Sequence, residues 1–252
     1  MLNVSKKLAD IAAKELEQQD RYASFLVYGE IGTQKTRSLL TAPKPLLLYN
    51  FDHGGPKVLG NRPSEQGIYV ISPEGDAATK YKAWEREHNA LVQEKAFEGI
   101  ATVVIDSFSS FVECELEHIK ATLKNKDGRQ DYQALHAFHT KLFNKLNALP
   151  CHRILICHAI QTIVVENDVS KVVRELLMPG QAKIKVPAQF DEVWRFYVKK
   201  GPGEKKIMVQ TEKDSQWEAR TRIGGGALHG KEIEPDFKAA LKMAGYNWED
   251  KA

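Results

Sequence analysis

A doubly wound α/β fold, a mostly parallel sheet flanked by helices, is what this chain of 252 residues predicts, and three observations predict it. Apolar runs at 24–28, 46–51, 68–71 and 102–105 recur without polar alternation, as strands buried on both faces require. Stretches of helical periodicity separate them, and that strand–helix alternation is the signature of a parallel sheet. The first run leads straight into Gly29-Glu30-Ile31-Gly32-Thr33-Gln34-Lys35-Thr36, a glycine-bearing turn of the kind that joins a strand to a helix.

In order along the chain, residues 3–19 read as an amphipathic helix with Leu8, Ile11, Ala12 and Leu16 on one face. The 24–28 strand, the turn and a helix over 36–40 follow. Pro43 and Pro45 stop that helix before the 46–51 strand, which Asp52-His53-Gly54-Gly55 closes. A strand at 68–71, a helix over about 76–97 and the strand ending at Asp106 complete the alternation. Next come a helix over 109–123, a polar break at 124–130, a helix over 132–149, and a strand at 153–157 ending at His158. Residues 161–190 read as a long polar insertion, too long for an idle connection. Strands at 192–199 and 206–211, joined across Lys200-Gly201-Pro202-Gly203, read as a late antiparallel hairpin. Glycines 224–226 precede a last helix over 235–244. There, Phe237, Ala239 and Ala240 read as the helix's own buried face, with an intersubunit plug as the alternative. The expected organisation is an N-terminal helix over 1–22, a core over 23–226 and a C-terminal helical segment over 227–252.

At 42% hydrophobic residues, the chain can build one full α/β core. Lysine plus arginine exceeds aspartate plus glutamate only by 36 to 33, so nucleic-acid binding would fall to a local basic face. Cys114, Cys151 and Cys157 are odd in number and lack C-x-x-C spacing; they read as reduced, buried thiols of a cytosolic protein, not a structural zinc site. With no apolar run of membrane-spanning length and no signal-peptide core, a soluble cytoplasmic protein without a membrane partner is expected.

The octet 29–36 matches the phosphate-loop pattern G-x-x-x-x-G-K-[ST] except at Gln34, where glycine is expected. Such a loop, from Gly29 to Arg37, aims backbone N–H groups at phosphates, and Lys35 neutralises the β- and γ-phosphates while Thr36 holds Mg²⁺. Gln34 either adopts the glycine conformation at some cost or marks a degraded loop. Asp106, about seventy residues on, emerges at the carboxyl end of its strand, where open α/β sheets place ligands, and serves Mg²⁺ through water. The pair implies ATP and Mg²⁺ as ligands. Hydrolysis needs a group that orients water. Asp52 is the best placed, with His53 the runner-up and a turn cap the plainer role for Asp52.

His158, followed by Gln161, stands where a γ-phosphate sensor would couple nucleotide to the next loop; a local hydrogen bond is the plainer reading. Arg220 and Arg222 point to one side if extended and suit a neighbouring subunit's phosphate, or else line a solvated edge. Lys124, Lys126 and Arg129 in one irregular segment, with Lys171, Arg174, Lys183 and Lys185 in the other, are candidates for phosphate contacts to single-stranded DNA. Neither segment offers a clear aromatic platform, and a solvated charged loop is the alternative.

On these residues the chain resembles the RecA-like P-loop NTPase core, and most closely the compact phage ATPases grouped as the "Sak-four" class of single-strand annealing proteins. The resemblance spans about 24–226 and rests on Lys35 and Thr36, the strand ending in Asp106, His158, Phe190-Asp191-Glu192-Val193, and Arg220-x-Arg222 before the glycines. It implies an ATPase that assembles as a ring or filament, binds single-stranded DNA and promotes annealing or strand pairing in the host-cell cytoplasm; the departures from the family's pattern, Gln34 for a glycine and Asp52 or His53 for a catalytic glutamate, point to slow hydrolysis or to binding that matters more than turnover. It also implies that Arg220 and Arg222 reach a neighbour's nucleotide, and that a single-stranded DNA-binding protein is a further partner. The rival expectations are a nucleotide-gated loading factor for a helicase or packaging machine, and a duplex-DNA motor.

Overall fold

The computed structural model describes residues 7–8, 22–52, 54–124, 128–166, 169–201, 204–214 and 216–246, with backbone alone for those of 162–174. Lys7 and Leu8 are helical; the rest of the expected 3–19 helix, His53 and Lys126 lie outside the described residues.

The strands are β1 (Ser24–Gly29), β2 (Leu46–Asn50), β3 (Ile68–Ile71), β4 (Thr102–Asp106), β5 (His152–Glu166), β6 (Val169–Leu176), β7 (Glu192–Gly201), β8 (Glu204–Gln210) and β9 (Glu232–Ile233). They run in the order β3-β2-β4-β5-β1-β7-β8-β9, with β6 paired to β5. From β3 to β7 every neighbouring pair is parallel, and β8 and β9 add on antiparallel. One strand, β5, thus separates the loop-bearing β1 from the acid-bearing β4, and the fold is a RecA-like P-loop core.

Alternation along the buried strands divides the core in two. Leu26 and Tyr28 of β1 face a layer built from the helices Ala77–Gln93, Phe108–Leu123 and Gly128–Asn147, with Trp84, Phe111 and Phe143 inside it. Phe25 and Val27 face the other layer, where Trp194 stacks on Phe237 of the helix Phe237–Met243. Each such side chain, fully buried, contributes about 1.5–3 kcal/mol. Helix starts are capped as their sequences require: Asp76 accepts from the Thr79 N–H, Ser107 from Ser110 and Asp236 from Ala239.

Two expectations are corrected. The polar insertion at 161–190 is largely a β-hairpin: β5 continues to Glu166 and pairs antiparallel with β6, from Ala159 opposite Leu176 to Glu166 opposite Val169. The β-branched runs Thr162-Ile163-Val164-Val165 and Val172-Val173 carry strand propensity that the scattered lysines obscured. In the last helix Phe237 and Ala240 are buried, with Leu241, but Ala239 is exposed, because a residue two along from Phe237 leaves the buried face.

Candidate functional site

The carboxyl ends of β1, β2 and β4, with β5 at His158, converge on a cleft of about 570 Å³ whose lining includes Gln34, Lys35, Thr36, Asp52, Asp106 and His158. Open α/β sheets bind ligands at such a place, because there the loops diverge. The loop begins at Gly29, where an added Cβ would lie 2.4 Å from the Phe196 carbonyl oxygen; only glycine lets β1 pack this closely on β7. Gln34 then takes φ 59° and ψ 27°, the left-handed conformation that the glycine of the pattern would hold. The loop is therefore curled as the motif demands, with an L-residue at the strained position.

Lys35 is buried, and its Nζ donates to the Gly29 and Glu30 carbonyls at 2.9 Å each. Burial pulls its pKa down while Asp106 opposes the shift. The Thr36 hydroxyl donates to Asp106 Oδ2 at 2.6 Å. Burial pushes the Asp106 carboxyl up to about 6, against the Thr36 hydrogen bond; Asp52 adds to the rise and Lys35 opposes it. A hydroxyl and a carboxylate in contact beside a buried ammonium form a hard-oxygen donor set, which suits Mg²⁺ next to phosphate.

Asp52 Oδ2 lies 3.7 Å from His158 Nε2, too far for a hydrogen bond. The His158 backbone N–H donates to Ser109 Oγ at 3.1 Å, so β5 is tied to the helix that follows Asp106. Burial, and next Lys35, lower the His158 pKa, with Asp52 opposing. Arg37 also lines the cleft, as do Lys57 and Val58 of the short 3₁₀ turn Gly55–Leu59. Nothing in their sequence marked Lys57 or Val58. The turn brings them in because Gly54 takes φ 92°.

The arginine pair does not behave as a pair. Arg220 donates through Nη2 to the Pro187 and Phe190 carbonyls at 2.6 Å each and bridges Val193, so it braces its own chain instead of reaching outward. Arg222 is exposed at φ −127° and ψ −26°, which is not extended, so the expected common side is lost. Glu192, wholly buried, fixes this segment: its Oε1 accepts from the Arg222 N–H at 2.7 Å, the Ile223 N–H at 3.1 Å and the Thr221 hydroxyl at 2.8 Å. In the sequence Glu192 stands out only as part of the Phe190-Asp191-Glu192-Val193 segment, with no role attached; a lone acid opening a buried strand is the signal of this one.

Of the basic candidates, Lys124 is exposed at a left-handed helix end, Arg129 is exposed in the first turn of the helix Gly128–Asn147, Lys183 pairs with Glu175, and Lys185 is exposed. Lys171 and Arg174 lie on β6, their side chains outside the described residues. No helix among the described residues is long and apolar enough to cross a membrane.

The family described as "AAA domain" matches residues 21–223. Similar solved structures include that of a KaiC-like protein from the hyperthermophilic archaeon Pyrococcus horikoshii OT3, at 15% identity and a TM-score of 0.43, covering 85% of this chain and 87% of that one. No curated protein matches.

Proposed function

The chain belongs to the AAA-domain family and carries a nucleotide-binding, RecA-like P-loop domain, and from that premise we propose that it is an ATPase of single-stranded DNA annealing or strand pairing. The observation that carries the ATPase reading is the 2.6 Å contact of Thr36 with Asp106 beside Lys35. Thr36 and Asp106 would hold Mg²⁺, which offsets phosphate charge when bound. Lys35 exchanges its two loop carbonyls for phosphate oxygens. Asp52, steadied by His158, orients the attacking water; a carboxylate is a weaker orienter when its partner is 3.7 Å away, which suits slow turnover. Arg222 completes a neighbouring copy's site within a ring or filament. The resemblance to phage annealing proteins and the exposed Lys124 and Lys185 support the DNA reading.

Titration with fluorescent ATP, then with a labelled single-stranded oligonucleotide with and without ATP, tests both parts. Lys35→Ala should lose ATP affinity by at least about tenfold while keeping its melting temperature within a few degrees. Equal ATP affinity in both proteins would remove the ATPase reading, and absence of oligonucleotide binding at low salt would remove the DNA reading.

A further inference from the structure

On the helix Gly128–Asn147, Tyr132, His136, Thr140 and Asn144 follow at four-residue steps and therefore share one stripe. Opposite this stripe runs the segment 180–189. His136, Thr140 and Asn144 line a cavity of about 250 Å³ together with Lys185 and Gln189. At the stripe's start the turn at Gly180, φ 55°, approaches the Tyr132 ring: a Cβ there would sit 3.8 Å from Cδ1. The ring lies beside that turn and is 44% exposed, open to a planar partner. From Tyr132 to Asn144 the stripe extends ~18 Å, enough to follow several nucleotides of an extended strand.

Charge along this groove favours an anion. Of the acids around it, Glu175 pairs with Lys183, Glu117 pairs with Lys120 and Asp131 is buried, whereas Lys185 and Lys124 are exposed. Lys185 lies near enough to His136 to help lower its pKa, after burial, so the histidine is a neutral hydrogen-bonding group at pH 7.

We propose that this groove is a track for single-stranded nucleic acid, in which Tyr132 is the platform for a stacked base and Lys185 contacts the backbone phosphate. The proposal rests on the DNA reading above and supplies the aromatic platform that the loop sequences lacked.

Fluorescence anisotropy of the full chain with labelled oligothymidylate decides it. Tyr132→Ala should weaken binding roughly 5- to 150-fold, while Tyr132→Phe, which keeps the ring, stays near wild type. Lys185→Ala, an exposed change that leaves folding intact, should lower the salt slope by about one. Tyr69→Ala, at an exposed tyrosine on the edge strand β3, should change nothing. Wild-type binding retained in both Tyr132→Ala and Lys185→Ala overturns the groove and leaves the DNA reading standing; no binding by the wild type removes both. Should Tyr132→Ala fail to melt cooperatively, the Lys185→Ala slope alone decides.

Discussion

At the scale of single residues, Gln34 shows how a near-match to a motif is accommodated. Its left-handed backbone costs an L-residue about 1–2 kcal/mol, and the site pays for it because the loop must curl around phosphate. Gln34→Ala and Gln34→Gly lose the same side chain but differ in the Cβ that generates this cost. Gln34→Gly should therefore be the more stable by about 1 kcal/mol in urea unfolding, and an equal or lower stability would show that the position is unstrained. Sequence alone offered strain or decay for Gln34; only the backbone angles separate them. His88 was legible from no motif. It is buried against Trp84, with Nδ1 at 3.2 Å from the Tyr49 hydroxyl, and burial, with Lys145 adding, pulls its pKa down to about 4. The folded chain thus refuses a proton that the unfolded chain accepts near 6.5. His88 stability is complete above that pH and is lost as pH falls toward 4, by up to about 3 kcal/mol. The difference in unfolding free energy between pH 7 and pH 4.5 should be larger in the wild type than in His88→Gln; parallel profiles would refute the assignment.

At the scale of elements, Glu192 does for the late segment what a cap does for a helix. Its carboxylate gathers the donors of Thr221, Arg222 and Ile223 through Oε1 and the Trp194 indole through Oε2 at 2.8 Å. Burial raises its pKa and these hydrogen bonds oppose the rise, so the buried carboxylate depends on them. Glu192→Ala leaves several buried donors unmet and should cost about 3 kcal/mol or more by chemical denaturation, against roughly half that for Glu192→Gln, which keeps one acceptor. Equal losses would mean that the packing of the side chain, not its oxygens, holds the segment. The elements themselves were legible wherever apolar runs were continuous, as in β1, β2 and β4, because burial on both faces leaves a signal within the strand. The β5–β6 hairpin was not, since a ribbon extending past the sheet carries lysines and arginine that read as loop.

At the scale of the whole molecule, the strand register decides which nucleotide Arg222 can serve. Glu192 pairs with Phe25 and Phe196 with Gly29, so the Arg222 segment is anchored at the amino end of β1 while the phosphate loop leaves its carboxyl end, ~13 Å farther along. The spacing of these motifs is legible along the chain, but their placement at opposite ends follows only from β7 running parallel to β1. An arginine so placed acts on a second copy or on none. Ile31, 91% exposed on the loop, and Val58, 49% exposed on the facing turn, leave apolar surface at the mouth of the cleft where that copy would bear. A contact joining one end of a subunit to the opposite end of the next is heterologous, and it generates a ring or a filament. Complementation follows directly. Lys35→Ala and Arg222→Ala should each be inactive in ATP hydrolysis, while an equimolar mixture should regain roughly a quarter of wild-type activity, because one junction in four joins an intact Lys35 to an intact Arg222. Activity in Arg222→Ala alone would release the arginine from catalysis. Two inactive single variants whose mixture stays inactive, although the subunits exchange, would place Arg222 in the cleft of its own chain, against the register of β1 and β7.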